Sequence, residues 1–202
     1  MILRCLSLLS LAAVMSGCSS PEQPTEADAP ASAQAVSDQA KDHAMTAKDA
    51  LFAKLSGRLT EVMQAEGPVW AIEVCSTEAN EIARTVGAEQ GVMIGRTSLK
   101  LRNSSNQPPE WAKQLINEKP HEPQFTNIDD QTVGALLPIK LQAKCLMCHG
   151  PVDSLVPGVP EQLAKLYPDD QATGFSEGDL RGWFWVEVPA KATGSSGESD
   201  EG

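Results

Sequence analysis

The segment Cys145-Leu146-Met147-Cys148-His149 constrains this chain more than any other part of its sequence. Two thiols three residues apart, followed at once by an imidazole, match the attachment signature of c-type haem. In such sites the two sulfurs form thioethers with the porphyrin vinyl groups, and the histidine supplies an axial nitrogen to the iron. The pattern therefore predicts one covalent haem c, with Cys145 and Cys148 as the thioether residues and His149 as the proximal iron ligand.

Two other uses of a Cys-x-x-Cys pair fit this sequence less well. A thioredoxin-like redox pair opens a helix, whereas Gly150-Pro151 follows here and would break such a helix. A zinc site needs two further ligands. The remaining candidates, Cys75, His43 and His121, include no second close pair.

Residues 1–17 have the pattern of a lipoprotein signal peptide. One basic residue precedes an apolar run of about ten residues, which is too short to span a bilayer. Small residues then precede Cys18, as in the lipobox of bacterial lipoproteins, and an incidental cysteine after an ordinary signal is the alternative. Ser19, rather than aspartate, follows Cys18, so we expect a lipid on Cys18 and sorting to the outer membrane, facing the periplasm. Export also favours haem c, because haem is attached covalently outside the inner membrane of bacteria.

Composition divides the rest of the chain into three parts. Residues 18–41 are rich in Pro, Ala, Ser and acidic side chains, so we expect a flexible acidic tether to the lipid. Residues 42–190 can form a single haem c-binding domain, and residues 191–202 are expected to be a disordered tail. With 27 acidic and 16 basic side chains, the net charge of −11 argues against nucleic acid as a partner.

Hydrophobic periodicity predicts helices early in the domain and strands late. A polar loop is expected between the third helix and the second strand. These features indicate an α+β fold with an antiparallel sheet and flanking N-terminal helices. The predicted helices are 42–65, 68–86, 108–116 and 160–167, and the predicted strands are 92–102, 132–141 and 183–188.

Cys75 lies on the apolar stripe of the second predicted helix and should point inward. From spacing alone, such a cysteine is more often a buried structural thiol than a ligand. Met147 lies inside the attachment segment and cannot reach the opposite face of the haem, and His43 and His121 are expected to face solvent. The sixth iron position is thus left open between Cys75, His43, His121, Met45, Met63, Met93 and no protein ligand.

Basic residues alternate along the first predicted strand. Arg96, Lys100 and Arg102 could pair with the haem propionates, because guanidinium and ammonium groups bind carboxylates. A solvated strand face is the alternative interpretation. Asp179 and Arg181 are expected to form an ion pair that holds a loop.

The order of five sequence blocks resembles the Tll-like haem c family, whose members are small exported proteins with a PAS-like fold. The resemblance implies a PAS-like domain, with Cys75 as the distal iron ligand opposite His149. One departure is Asn80, where the family usually has proline, and this affects a helix kink rather than a ligand. The blocks are 71–75 (AIEVC), 95–103 (GRTSLKLRN), 145–150 (CLMCHG), 167–170 (YPDD) and 178–182 (GDLRG).

These features favour a monohaem c-type cytochrome that transfers electrons in the periplasm. An anionic thiolate ligand stabilises ferric iron, so we expect a low reduction potential and an unidentified redox partner protein. The alternative is a redox or small-gas sensor of NO or CO that signals through a partner. A haem enzyme such as a peroxidase needs an open distal site, so we expect no enzymatic activity.

Overall fold

The computed structural model describes residues 35–189 of the chain. The expected signal peptide, Cys18, residues 18–34 of the expected tether and the whole expected tail lie outside these residues. Two short 3₁₀ turns, Ala143–Cys145 and Val152–Ser154, interrupt the loops. The helices are α1 (Asp38–Ala65), α2 (Pro68–Thr77), α3 (Ala79–Gln90), α4 (Ala112–Asn117), α5 (Leu146–His149) and α6 (Val159–Leu166), and the strands are β1 (Met93–Thr97), β2 (Gln124–Asp129), β3 (Thr132–Lys140) and β4 (Leu180–Pro189).

The four strands form one antiparallel sheet in the order β1-β4-β3-β2. The last strand, β4, is therefore central and pairs with both β1 and β3. Together with the N-terminal helices, this sheet confirms the predicted α+β class.

The two faces of the sheet are covered by different helices. On one face, Phe184, Val186 and Val188 pack with residues of α1 and α3, including Leu51 and Val86. On the other face, Leu136 and Trp183 pack against α4, in a cluster that Trp111 and Trp185 extend. This alternation follows from the period-two pattern of a strand that is buried on both faces.

Two strand assignments made from the sequence were wrong in part. β1 ends at Thr97, and residues 98–102 leave the sheet as a loop, although the alternation of polar and apolar residues continues through them. The segment expected to be a polar loop contains β2, an edge strand with mostly half-exposed side chains and a bulge between Asn127 and Asp129. Because none of its side chains is fully buried, this strand carries no regular apolar stripe in the sequence.

The N-terminal helices also differ from the prediction. α1 begins at Asp38, four residues early, because the side chain of Ser37 caps it by accepting a hydrogen bond from Ala40 N. The single helix expected over 68–86 is broken at Glu78 into α2 and α3. The Thr77 hydroxyl donates to the Glu73 carbonyl at 2.9 Å, a pattern that often bends helices.

Within the described range, no helix has both the length and the apolar character needed to cross a membrane.

Candidate cofactor site

A cavity of about 290 Å³ lies between α1, α2, the ends of β1 and β4, and the segment around α5. Most of its wall is apolar. Cys75 of α2 lines it together with three predicted site residues that come much later in the sequence: Cys145, Cys148 and His149. The fold thus assembles the predicted ligands of one group in one place.

His149 ends the single helical turn α5, and its ring is held in place by a backbone group. Its Nδ1 lies 2.7 Å from the carbonyl oxygen of Ala172. A carbonyl oxygen only accepts hydrogen bonds, so Nδ1 carries the proton. Nε2 is therefore unprotonated and keeps a lone pair that can bind a metal ion. Burial, reinforced by the charges of Arg102 and Arg181, lowers the pKa of His149 to about 3, and the imidazole is therefore neutral.

The two cysteines of the attachment segment are free, half-buried thiols. Burial raises the pKa of the Cys148 thiol, so this thiol is protonated at neutral pH. The turn is closed by Gly150 N, which donates to Leu146 O at 2.9 Å. A Cβ at position 150 would lie 2.7 Å from that same oxygen, which explains why glycine follows the histidine.

Cys75 lines the cavity from α2, between the buried residues Ile72 and Ala79. Its thiol is half-buried because the cavity itself is open to it. Burial raises the pKa of the Cys75 thiol, while the positive charge of nearby guanidinium groups opposes the rise. Those groups belong to Arg96, Arg102 and Arg181.

The three predicted basic residues have different environments. Arg102 is already engaged: its Nε donates to Asp170 at 3.1 Å, and its Nη2 donates to the carbonyls of Cys148 and Ala172. Lys100 is exposed, with its ammonium 5.0 Å from the centre of the Phe175 ring. The Arg96 guanidinium lines the cavity and makes no hydrogen bond or ion pair with any described residue. Only Arg96 is on a strand, so the predicted cationic strand face does not exist.

Sequence reasoning missed Arg181 as a site residue. The predicted ion pair with Asp179 is wrong, because Asp179 instead accepts a hydrogen bond from Ser176 N at 2.8 Å. Arg181 lines the cavity, donates to Lys100 O at 3.0 Å and lies 5.7 Å from the ring centre of Phe175. Burial lowers its pKa to about 10. The sequence offered no signal for this role, because the strand predicted from it began at residue 183, whereas β4 begins at Leu180 and includes Arg181.

The remaining ligand candidates mostly lie elsewhere. His43 is half-buried rather than solvated, because its Nε2 bonds the Gln90 carbonyl at 2.7 Å and ties α1 to the end of α3. His121 is exposed, as expected, and Met93 is 61% exposed. Met45 packs against the main core. Among Met45, Met63 and Met93, Met63 alone lines the cavity, and Met147 lines it from within the attachment segment.

The residues present fit the group predicted from the motif. The Thr97 hydroxyl is buried in the cavity wall and has no hydrogen-bond partner, as expected of a polar atom whose partner is a bound group. A neutral imidazole, thiols and an apolar wall suit haem c, whose porphyrin supplies four donors of its own. A bare metal ion would need a cluster of three or more protein ligands, and residues 35–189 contain none.

Comparison with known proteins identifies the family. The model of the Tll0287-like family matches residues 22–189, which is most of the chain. The chain belongs to the Tll0287-like family. The resemblance inferred from the five sequence blocks is thereby confirmed. No curated protein sequence gives a significant match.

A solved structure shares the Tll0287-like fold. The crystal structure of the cyanobacterial heme-protein Tll0287 superposes with a TM-score of 0.57 and 25% sequence identity. The match covers 76% of this chain and 96% of that one. The described residues of this chain therefore correspond to nearly the whole of that heme-protein.

Proposed function

We propose that this chain is a monohaem c-type cytochrome that carries electrons at low potential. The observation that carries the proposal is that Cys75 and His149, from two different helices, line the same cavity as Cys145 and Cys148. Membership of a family with a heme-protein of matching fold supports the choice of cofactor.

Each cavity residue has a separate role in this proposal. Cys145 and Cys148 hold the haem through thioethers, and His149 presents Nε2 as the proximal ligand because Nδ1 is engaged by Ala172 O. Cys75 is the distal ligand. When bound, the haem supplies one-electron chemistry at its iron.

The Cys75 thiol must lose its proton to bind iron, because the thiolate is the ligand form. The guanidinium groups of Arg96, Arg102 and Arg181 favour that loss electrostatically. A thiolate donates strongly to ferric iron and so lowers the reduction potential relative to methionine ligation. With side chains at both axial positions, no position is left for a substrate, and we propose electron transfer rather than enzymatic turnover.

The haem propionates require cations in an otherwise acidic chain of net charge −11. Arg96 is the strongest candidate, because its guanidinium lies at the cavity without a carboxylate partner. Arg181 also lines the cavity, and Lys100 adds positive charge beside it, since both side chains contact Phe175. Arg102 remains a weaker candidate, since protein groups occupy its Nε and Nη2.

The test of axial ligation is the variant Cys75→Ser. We expect the variant to retain covalent haem but to lose the ferric thiolate signature in its optical and EPR spectra. Met63→Leu is the matched control, because Met63 lines the same cavity and offers the other sulfur that could ligate. An unchanged spectrum in Cys75→Ser, or a changed one in Met63→Leu, would contradict His/Cys ligation.

A redox or gas sensor is the competing function, and ligand binding separates the two. We expect rapid, reversible reduction of the wild-type protein in spectroelectrochemistry, with no change of potential under CO. Binding of CO to the ferrous form at physiological potential would favour the sensor. Turnover of hydrogen peroxide would instead indicate an enzyme.

The proposed location follows from the N-terminal sequence. We propose that the chain is exported, lipidated on Cys18 and anchored in the outer membrane facing the periplasm. There it would exchange electrons with a redox partner protein that is not identified.

A further inference from the structure

One backbone oxygen at the cavity accepts hydrogen bonds from two side chains. The carbonyl of Ala172 accepts from Nδ1 of His149 at 2.7 Å and from Nη2 of Arg102 at 3.1 Å. The same Nη2 also donates to the Cys148 carbonyl at 2.6 Å. A single guanidinium therefore contacts both the attachment turn and the group that orients the proximal histidine.

Arg102 is itself held by a buried carboxylate. Its Nε donates to Asp170 Oδ2 at 3.1 Å, and the two side chains are only 10% and 9% exposed. The other oxygen of Asp170 accepts from Ala172 N at 2.8 Å. Asp170 thus accepts a hydrogen bond from the N–H of Ala172, and Arg102 donates one to its C=O.

We propose that Arg102 and Asp170 form a positioning pair that sets the donor strength of His149 and, through it, the reduction potential of the iron. The proposal rests on the proposed haem ligation. Hydrogen bonding at Nδ1 controls how much electron density an axial imidazole gives to its metal. Because the guanidinium draws density from the shared carbonyl, it weakens the bond that His149 makes and moderates the histidine as a donor.

The two members of the pair act on the iron with opposite sign. Removing the charge of Arg102 leaves the carbonyl as a better acceptor for Nδ1 and removes a buried positive charge, and both effects favour ferric iron. Removing the charge of Asp170 deletes a buried negative charge and leaves the guanidinium freer to polarise the carbonyl, and both effects favour ferrous iron. If the pair only held the loop in place, loss of either charge would shift the reduction potential in the same direction.

The test measures midpoint potentials of the haem-loaded, full-length protein. We expect Arg102→Gln to lower the ratio of reduced to oxidised protein at a fixed applied potential by about tenfold. For a one-electron couple this corresponds to a midpoint potential about 59 mV lower. We expect Asp170→Asn to raise that ratio. Arg102→Lys keeps the charge but lacks the planar guanidinium with its several hydrogen-bond donors. It should shift the potential less than Arg102→Gln.

Controls of matched charge come from an exposed ion pair. Lys54 and Glu89 join α1 to α3 on the surface, and neither lines the cavity. Lys54→Gln and Glu89→Gln should leave the potential at the wild-type value. If they shift it as much as the Arg102 and Asp170 variants, the effect is one of net charge and the proposal fails.

The possible outcomes separate this proposal from the one it rests on. Wild-type protein without covalent haem would overturn the proposed function itself. Haem-loaded protein whose potential falls in both Arg102→Gln and Asp170→Asn, or moves in neither, would overturn the positioning role alone. If Arg102→Gln does not fold, a rise in Asp170→Asn with a small shift in Arg102→Lys supports the proposal, and a fall in both variants contradicts it.

Discussion

At the scale of single residues, the attachment motif and its surroundings differ in how far the sequence predicts them. The spacing of Cys145, Cys148 and His149 was sufficient to predict a site, because thioether attachment depends on neighbouring residues. The partner of His149 is Ala172, whose contribution is a backbone carbonyl 23 residues away. Any residue type carries such a group, so no sequence pattern could have indicated it.

Arg181 illustrates the same limit for a side chain. Its neighbour Asp179 suggested an ion pair, yet the strand β4 begins at Leu180 and carries Arg181 away to the cavity. Local proximity of opposite charges in a sequence predicts a contact only when the backbone between them is known.

Trp111 provides a residue-scale prediction. Its Nε1 donates to Glu187 at 2.8 Å, and its indole lies against Gly134, where a Cβ would be 3.0 Å away. We expect Trp111→Phe to lower the free energy of unfolding by about 1–2 kcal/mol, because a hydrogen bond and packing are lost. Urea denaturation measures this. Trp70, which is 52% exposed, is the control, and Trp70→Phe should change stability by less than about 0.5 kcal/mol.

At the scale of elements, β1 and β4 approach each other closely at one end of the cavity. A Cβ on Gly182 of β4 would lie 2.2 Å from the Thr97 carbonyl of β1 and 2.9 Å from the Ser98 Cβ. Only glycine allows β4 and the end of β1 to meet in this way. Thr97 and Gly182 both line the cavity, so this approach also shapes the site.

Substitution of Gly182 tests the importance of that approach. We expect Gly182→Ala to lower the free energy of unfolding by about 1–3 kcal/mol, because backbone atoms cannot move aside as a flexible side chain can. Gly57 is the control, since it lies within α1 with open space around its Cβ position. Gly57→Ala should raise stability by about 0.5–1 kcal/mol through helix propensity, and equal effects of the two changes would contradict the argument.

The junction of α2 and α3 gives a pH-dependent prediction. The Arg58 guanidinium donates two hydrogen bonds to Glu78, at 2.8 and 3.0 Å, and these lower the pKa of that carboxyl. A lowered pKa stabilises the fold above the pKa of the unfolded chain, and this stability is lost as the pH falls through the folded value. Glu78→Gln should therefore lower the urea midpoint at neutral pH and match the wild type in acid.

Glu61 provides the control for this variant. It accepts one hydrogen bond from the same guanidinium, at 3.0 Å. We expect Glu61→Gln to lower the urea midpoint less than Glu78→Gln. A difference between Glu78→Gln and wild type that stays constant from neutral pH to acid would contradict the assignment.

The two errors in predicting strands have a common physical origin. Residues 98–102 keep a strand-like alternation, but their chain leaves the sheet and the pairing with β4 stops at Thr97. β2 has little alternation of polar and apolar residues, but β3 lies beside it as a pairing partner. Strand formation depends on the neighbour as much as on propensity, and the neighbour is not visible in a local window of sequence.

At the scale of the whole molecule, composition and order of blocks were informative. The order of the five sequence blocks indicated the family that the comparison confirmed. The fold class followed from helices early and strands late. Strand order and the position of the cavity required the structure, because both depend on contacts between distant segments.

The anchor gives a prediction for the entire protein. We expect Cys18→Ala to carry no lipid and to keep its uncleaved N-terminal segment, because cleavage of a lipoprotein signal requires the acylated sulfur. Mass spectrometry of the mature N-terminus should show a lipid on Cys18 in the wild type. An unmodified Cys18 in the wild type, or normal cleavage in the variant, would contradict lipid anchoring.

The central position of β4 has a consequence for biogenesis. β4 is the last element of the described chain, yet it is the strand that joins β1 to β3. A nascent chain that lacks it has no continuous sheet, so the domain cannot complete its core until synthesis has passed Pro189. A polypeptide with this strand order therefore joins its first strand to its third only at the end of the synthesis of residues 35–189.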